Sequence, residues 1–414
     1  MHGATKPTEN SVQFAPLLGL QSFLKIEGTM TRSNFTRIAL GIAFVSASSL
    51  ARGQIYHTAV LTNPQGTVSS RATAINSAGE IVGFAQGQDG QNAILWTPDG
   101  STRVLPDVGG QQWSNAYAIN AGGDVAGFTM TNLNSNAAAG VIWKSDGTTT
   151  LLQSIGRFDT AMGLNSAGYA VGYADLTETN EAILWSPDGS AVVLQDVGGE
   201  GQSVANGIND AGEIVGFSGT ADGHDEAVVW GLDGHGRVLS PTPEGYATAV
   251  NASGDIAGVS LNSAPYGYGA AIWGANGTLT LLTDPGTAGS GAKGLNNNGD
   301  AVGSTHSSNT TLNAVLWPAS GAPVILPDLG GVGWDSAFGI NDGGLVVGST
   351  LAKVAQNQEF AVLWWPEGTN PPPWPDSFPP GVPEPSSWVL LICGAVGLGA
   401  FRISRRLNIE PPPL

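Results

Sequence analysis

Short runs in which small residues alternate with bulkier apolar ones recur along most of the chain. In Ala72-Thr73-Ala74-Ile75-Asn76-Ser77-Ala78-Gly79-Glu80-Ile81-Val82-Gly83, two such runs flank an Asn-x-x-Gly segment. Alternation with a period of two predicts strands with one face short of side-chain volume. Asn at the first turn position can bond its own backbone two residues on, and Gly three later supplies positive φ. The segment therefore reads as strand, turn, strand. A third strand is expected over Asn92–Trp96, and a fourth ends at Leu105.

The pattern repeats. Asn76, Asn120, Asn165, Asn209, Asn251, Asn296 and Asn341 follow one another at intervals of 42 to 45 residues. Alanine stands four residues before each, and glycine three and seven residues after. A tryptophan follows each at 20 to 23 residues: Trp96, Trp143, Trp185, Trp230, Trp273, Trp317 and Trp364. Four short strands in about 44 residues match one blade of a β-propeller. The expected fold is all-β, a seven-bladed β-propeller of four-stranded blades over residues 54–365. The tryptophans are expected to pack between blades, and the small residues near the axis. Seven copies of the first three strands are followed by only six fourth strands. The missing one is expected from Ile55–Leu61, which would complete the last blade and remove an open sheet edge.

Both ends read as targeting segments. Residues 1–29 look like an over-extended start. Residues 30–53 carry Arg32 and Arg37, then an apolar run and small residues, the pattern of a signal peptide cut by signal peptidase. Residues 366–386 form a Pro-rich linker ending in Pro383-Glu384-Pro385. Residues 387–406 hold a short apolar stretch, expected to be a transmembrane helix, and the cluster Arg402, Arg405 and Arg406, which should stay cytoplasmic. A tail of 407–414 follows. The apolar part, Trp388–Phe401, is short for a bilayer that needs about 20 residues.

Two resemblances follow from these motifs. Residues 382–406 resemble the PEP-CTERM sorting signal of bacteria, which implies processing by an exosortase and delivery to the cell surface or extracellular matrix. Residues 55–365 resemble the HAF repeat family of extracellular bacterial proteins, with Ala-x-x-Ile-Asn-x-x-Gly-x-x-x-Gly and a later Leu-Trp. The Leu105-Pro106-Asp107-Val108-Gly109-Gly110 and Leu326-Pro327-Asp328-Leu329-Gly330-Gly331 copies also fit that family. Its name-giving histidine is replaced, since Asn92, Glu181, Glu226 and Phe360 precede the alanine. The resemblance implies export and repeats, and leaves activity open.

Composition narrows the function classes. Of 414 residues 60 are Gly, only 12% are charged, and the formal net charge is −18 with 15 Lys and Arg. That argues against a nucleic-acid partner, which needs clustered basic residues. The lone Cys393 rules out an intramolecular disulfide. None of His2, His57, His224, His235 and His306 sits in a metal-ligand spacing, so no metal and no cofactor is expected. Asp222, His224 and Glu226 share a loop and read as solvated. Glu80, Asp124, Glu213, Asp255 and Asp300 follow the turn glycines and read as hairpin positions rather than a cation ring. No catalytic constellation stands out, and the chain reads as more binding or structural module than enzyme. The candidate ligand residues are Trp113, Phe158 and Trp334, seven before an Asn. Exposed, they would stack on exopolysaccharide or anchor surface proteins. Buried, they would plug the gap between blades. The alternative is a secreted propeller enzyme acting on polysaccharide.

Overall fold

The computed structural model describes residues 54–369, apart from 135, 177–178, 198, 240–243, 262–266, 287, 309–310, 331–332 and 353–357. The expected signal peptide, sorting signal and transmembrane helix lie outside the described residues, as do residues 370–386 of the linker.

Among the described residues, 28 strands form seven antiparallel four-stranded sheets and no helix occurs. The first blade is built from Thr67–Ile75, Ile81–Gly87, Gly90–Trp96 and Thr102–Val104, in that order from axis to rim. The other inner strands are Ser114–Ile119, Asp159–Leu164, Gly199–Ile208, Gly245–Val250, Ser290–Leu295 and Ser336–Ile340. The last blade takes its outer strand, Tyr56–Val60, from the chain's N-terminal side, in register with Gln358–Pro366. The ring is thus closed by the strand expected to close it, and the expected blade phase holds.

Each repeated residue has a separate mechanical role. The Asn side chains are buried, and each works in two directions. Every Oδ1 accepts the backbone N–H four residues on, at 2.8–3.1 Å, which fastens its own turn. Every Nδ2 donates to the backbone carbonyl of the next blade's Asn, at 3.0–3.2 Å. The seventh donor, on Asn341, returns to Asn76. Seven carboxamides therefore form a closed hydrogen-bonded circle around the axis.

The glycine three after each Asn has φ between +77° and +88°, as the turn requires. The glycine seven after has another cause. Each inner strand carries a β-bulge three residues before its Asn, between Ala72 and Ala74 in the first blade. Opposite the bulge, a Cβ on Gly83, Gly127, Gly172, Gly216, Gly258, Gly303 or Gly348 would lie 1.9–2.2 Å from a backbone carbonyl oxygen. No side chain fits there.

The tryptophans fill the space between blades. Trp143 packs with Val125 and Val141 of its own blade and with Val82, Leu95 and Leu105 of the preceding one. Its indole N–H donates to the carbonyl of Pro106, and the same bond recurs at Trp96, Trp185, Trp230, Trp317 and Trp364, at 2.7–3.0 Å. For Trp273, the corresponding residue 240 lies outside the described set. Serine staples complete the joint. Ser70, Ser114, Ser203 and Ser290 each accept a backbone N–H from the third strand of the preceding blade, at 2.9–3.2 Å.

Asn341→Asp keeps the acceptor for the turn but removes the donor to Asn76 and buries a carboxylate against its carbonyl. We expect a loss of about 2–4 kcal/mol at pH 7, shrinking as pH falls toward ~4, below which the carboxyl is protonated in both the folded and the unfolded chain. Urea unfolding at both pH values checks this; wild-type stability at pH 7 would show that the circle carries no load.

Candidate functional site

The bulge governs what faces the axis. Its extra residue is unpaired in the ladder, so its side chain is freed to line the channel. Across the seven blades this residue is Thr73, Tyr117, Met162, Asn206, Thr248, Lys293 and Phe338, and all seven line one cavity of about 670 Å3. The residues two before each Asn, all Ala or Gly, line it too, because neighbouring inner strands come close there. A Cβ on Gly339 would stand 3.3 Å from Ala74 Cα. The aliphatic residues just before each Asn, Ile75 to Ile340, form a girdle at the turn end of the cavity, where all but Ile119 line it too. Beyond it lies a second, more polar space of about 320 Å3 at the turn end.

Most polar groups at the bulge are spent on the scaffold. The hydroxyl of Thr73 lies 2.9 Å from the carbonyl of Ala116 in the next blade, and Thr248 repeats this with Ala292 at 3.0 Å. Asn206 Nδ2 donates to the carbonyl of Ala247 at 2.8 Å. Lys293 differs. Its Nζ donates to Ser336 Oγ at 2.8 Å and sits 4.6 Å from the Phe338 ring centroid. Burial, reinforced by the charge of Arg71, pushes the Lys293 ammonium pKa down to about 8. Arg71, two residues before the first bulge, lies between Phe84 at 5.6 Å and Phe338 at 5.3 Å. It forms a bidentate pair with Glu359 at 2.8 and 3.1 Å. Tyr117, Tyr246 and Phe217 add aromatic wall. Sequence reading missed both cations. The signal was present, because Lys293 is the one cationic residue among the seven bulge positions.

The three aromatics expected to bind ligand are placed differently. Phe158 is half-buried against Phe128, ring centroids 5.2 Å apart, and Phe128 lies 6.1 Å from Tyr117. It serves as a plug. Trp113 is 36% exposed and Trp334 is 55% exposed. All three backbones bridge to the third strand of the preceding blade: Gln91 with Trp113, Ala138 with Phe158, Leu312 with Trp334. Their position is therefore set by inter-blade pairing whatever their side chains do. Trp334 also lines a side pocket of about 370 Å3 shared with Arg71, Lys293, Phe338 and Glu359.

The acids after the turn glycines serve the turns. Glu80 and Glu213 accept from the Asn Nδ2 four residues earlier, each at 2.7 Å. Asp124, Asp255 and Asp300 accept the backbone N–H of the neighbouring turn at 2.8–3.0 Å. Among the described residues no group of three His, Cys, Asp or Glu could hold a metal ion. Asp222 accepts from Thr220, and His224 Nδ1 meets Glu244 at 3.1 Å. The aspartates of the Leu-x-Asp links are also structural: Asp107 receives Gly109, Gly110 and Gln112 N–H groups and the Thr129 hydroxyl.

No protein-family model matches the chain, and neither does any curated protein sequence. Among solved structures it is similar to the β-propeller domain of the trilobed protease from Pyrococcus furiosus. The TM-score is 0.50 at 11% identity, covering 76% of this chain and 99% of that one. It is also similar to virginiamycin B lyase from Staphylococcus aureus (TM-score 0.47, 11% identity, 74% and 99% covered). TolB from Acinetobacter baumannii gives 0.42 at 13% identity, with 83% and 72% covered. The first shows the propeller fold and says nothing of activity. That domain is described as having an open Velcro topology, whereas here Tyr56–Val60 pairs with the last blade.

Two buried acids, Asp159 and Asp335, break the repeat, and burial pushes both carboxyls up. Asp335 occupies the position of the serine staples, and burial, with the charge of Asp328 adding to it, pushes its carboxyl up to about 6. A carboxyl whose pKa is raised on folding stabilises the fold below its unfolded pKa near 4 and loses that contribution as pH rises through about 6. Asp335→Ser should remove this decline and add about 1–2 kcal/mol at pH 7, with little gain at pH 4. Thermal unfolding at the two pH values measures it. A variant less stable at pH 7 than wild type would contradict the assignment.

Proposed function

We propose that the chain is an exported cell-surface or extracellular-matrix propeller acting as a binding module. One observation carries the binding reading. The Ala, Asn, Gly and Trp positions that hold the ring together are the same in all seven blades, while the bulge position facing the cavity varies through six residue types. A uniform scaffold with a varied lining suits selective binding of a ligand. Hydrolysis of polysaccharide by paired carboxylates needs two of them about 5–9.5 Å apart. Among the described residues lining the cavity and its side pocket, Glu359 is the one carboxylate, and Arg71 engages both its oxygens. This favours binding over catalysis.

Export rests on the two terminal signals. Signal peptidase would act at the first and an exosortase at Pro383-Glu384-Pro385, with Arg402, Arg405 and Arg406 as the cytoplasmic stop. Exposed Trp113 and Trp334 would then offer surfaces for exopolysaccharide or surface proteins, where stacking on sugar rings suits indole faces.

Two measurements test this. Replacing Pro383, Glu384 and Pro385 by Ala should leave the precursor in the membrane fraction of an exosortase-bearing host, with the surface form lost; unchanged surface display would refute the sorting route. On a glycan array, Trp113→Ala should weaken binding at least about tenfold with the fold intact by circular dichroism. Turnover of a glycan by the wild-type protein would overturn the binding reading.

A further inference from the structure

We propose that the axial cavity is a binding site for a small aromatic monocarboxylate, with Lys293 and Arg71 taking the carboxylate and Phe338, Tyr117 and Tyr246 enclosing the ring. This site is independent of export and of Trp113, and it rests on the binding reading that the varied cavity lining supports.

Charge selects the ligand class. The chain carries a formal net charge of −18, yet the cavity wall brings both Arg71 and Lys293 against one ring, Phe338, with Glu359, paired to Arg71, as the single carboxylate among the described lining residues. The wall is therefore net positive by one charge. Arg71 is already engaged by Glu359 through two nitrogens. Lys293 gives one hydrogen bond, to a neutral serine, and has no carboxylate within ion-pair distance among the described residues. An ammonium has three N–H donors. One anion would satisfy the remainder and neutralise the site. A polyanion is disfavoured, since the surrounding protein field is strongly negative.

Shape and surface select the rest. A cavity of about 670 Å3 falls in the range of small-molecule sites. Phe84, Phe217, Phe338, Tyr117 and Tyr246 present π-faces and edges to it. The polar bulge residues Thr73, Thr248 and Asn206 are occupied by carbonyls of the next blade, which leaves a largely apolar floor. An aromatic ring carrying one carboxylate matches both halves.

A scaffold role for Lys293 makes the opposite forecast about stability. Its burial lowers its pKa, so the charged form weighs against the fold. A ligand-binding lysine without its ligand should be replaceable by an apolar side chain of similar length with a gain in melting temperature.

The experiment is isothermal titration of the full chain, or of the mature exported form, with phenylacetate, benzoate and indole-3-acetate, and with the neutral amide phenylacetamide. Wild type should bind at least one of the three carboxylates with a Kd of about a millimolar or tighter, and the amide at least about tenfold more weakly. Lys293→Met should weaken the carboxylate at least about tenfold while melting at the same or a higher temperature. Lys144→Met, which removes the same charge at the turn where Lys144 pairs with Asp124 at 3.2 Å, should change nothing. Three results overturn the proposal. They are equal affinity for amide and carboxylate, an unchanged Kd in Lys293→Met, and no binding of any of the three acids at about ten times that concentration. Glycan binding that survives in Lys293→Met while the carboxylate is lost separates this site from the surface reading.

Discussion

The circle of seven asparagines is the constraint on which the remaining geometry rests. A four-stranded blade is too exposed to stand alone, so its stability depends on its neighbours. Hydrophobic burial between blades is not directional and does not choose a number of them. A side-chain amide that must donate to the next blade's carbonyl, while its oxygen holds its own turn, is directional. Every Asn shares the same two tasks, so each interblade spacing is set by the same bond at 3.0–3.2 Å. The circle closes only when the last donor reaches the first acceptor. Asn341 does so across the seam that Tyr56–Val60 seals on the outside. The seam is thus fastened at the axis by an amide and at the rim by a strand.

The bulge three residues earlier separates structure from chemistry. Without it, the inner strand would stay in register with its partner to the turn, and no residue would be free of the ladder. The bulge takes one residue out of pairing in every blade and turns it toward the axis. Its requirement is the glycine opposite, where any Cβ would collide with a carbonyl. The scaffold therefore dictates Ala, Gly and Asn around the bulge and leaves the bulge residue unrestricted. Thr73, Thr248 and Asn206 use that freedom to tie blades together. Tyr117, Met162, Phe338 and Lys293 use it to shape a wall.

Most of the fold was legible because the chain repeats its instructions. Asn-x-x-Gly names a turn, the period names a blade, and the missing seventh outer strand names the closure. The inter-blade donor of Asn76 was not legible, because a turn asparagine satisfies its local rule with Oδ1 alone and gives no hint of where Nδ2 points. The glycine of Gly83 and its copies was visible, but its cause was a backbone collision that exists only once the bulge forms. At the candidate site the sequence pointed to aromatics on the links between blades and passed over the cations of the axial cavity. Large aromatics at Trp113, Phe158 and Trp334 stood out by type, yet their place is fixed by backbone bridges between blades, and Phe158 is a plug. Lys293 was masked by the comparison that found the repeat, since looking for what recurs passes over what differs.

Departures from a repeat are best judged by where they sit. Asp335, like Asp159 at the same blade position, puts a carboxyl where four blades have serine, Lys293 puts a cation where the other blades have none, and each has its pKa displaced by burial. Both weigh against the fold near neutrality. Asp335 replaces a serine staple in the joint between blades and lines neither the axial cavity nor its side pocket. Its burden has no outlet toward a ligand. Lys293 stands at the bulge, opens on the cavity, and shares the Phe338 ring with a second cation. Two like charges held around one ring in a strongly acidic protein raise the energy of the empty site. An anion entering the cavity would lower it, which is the physical sense in which a scaffold this uniform can hold a specific site.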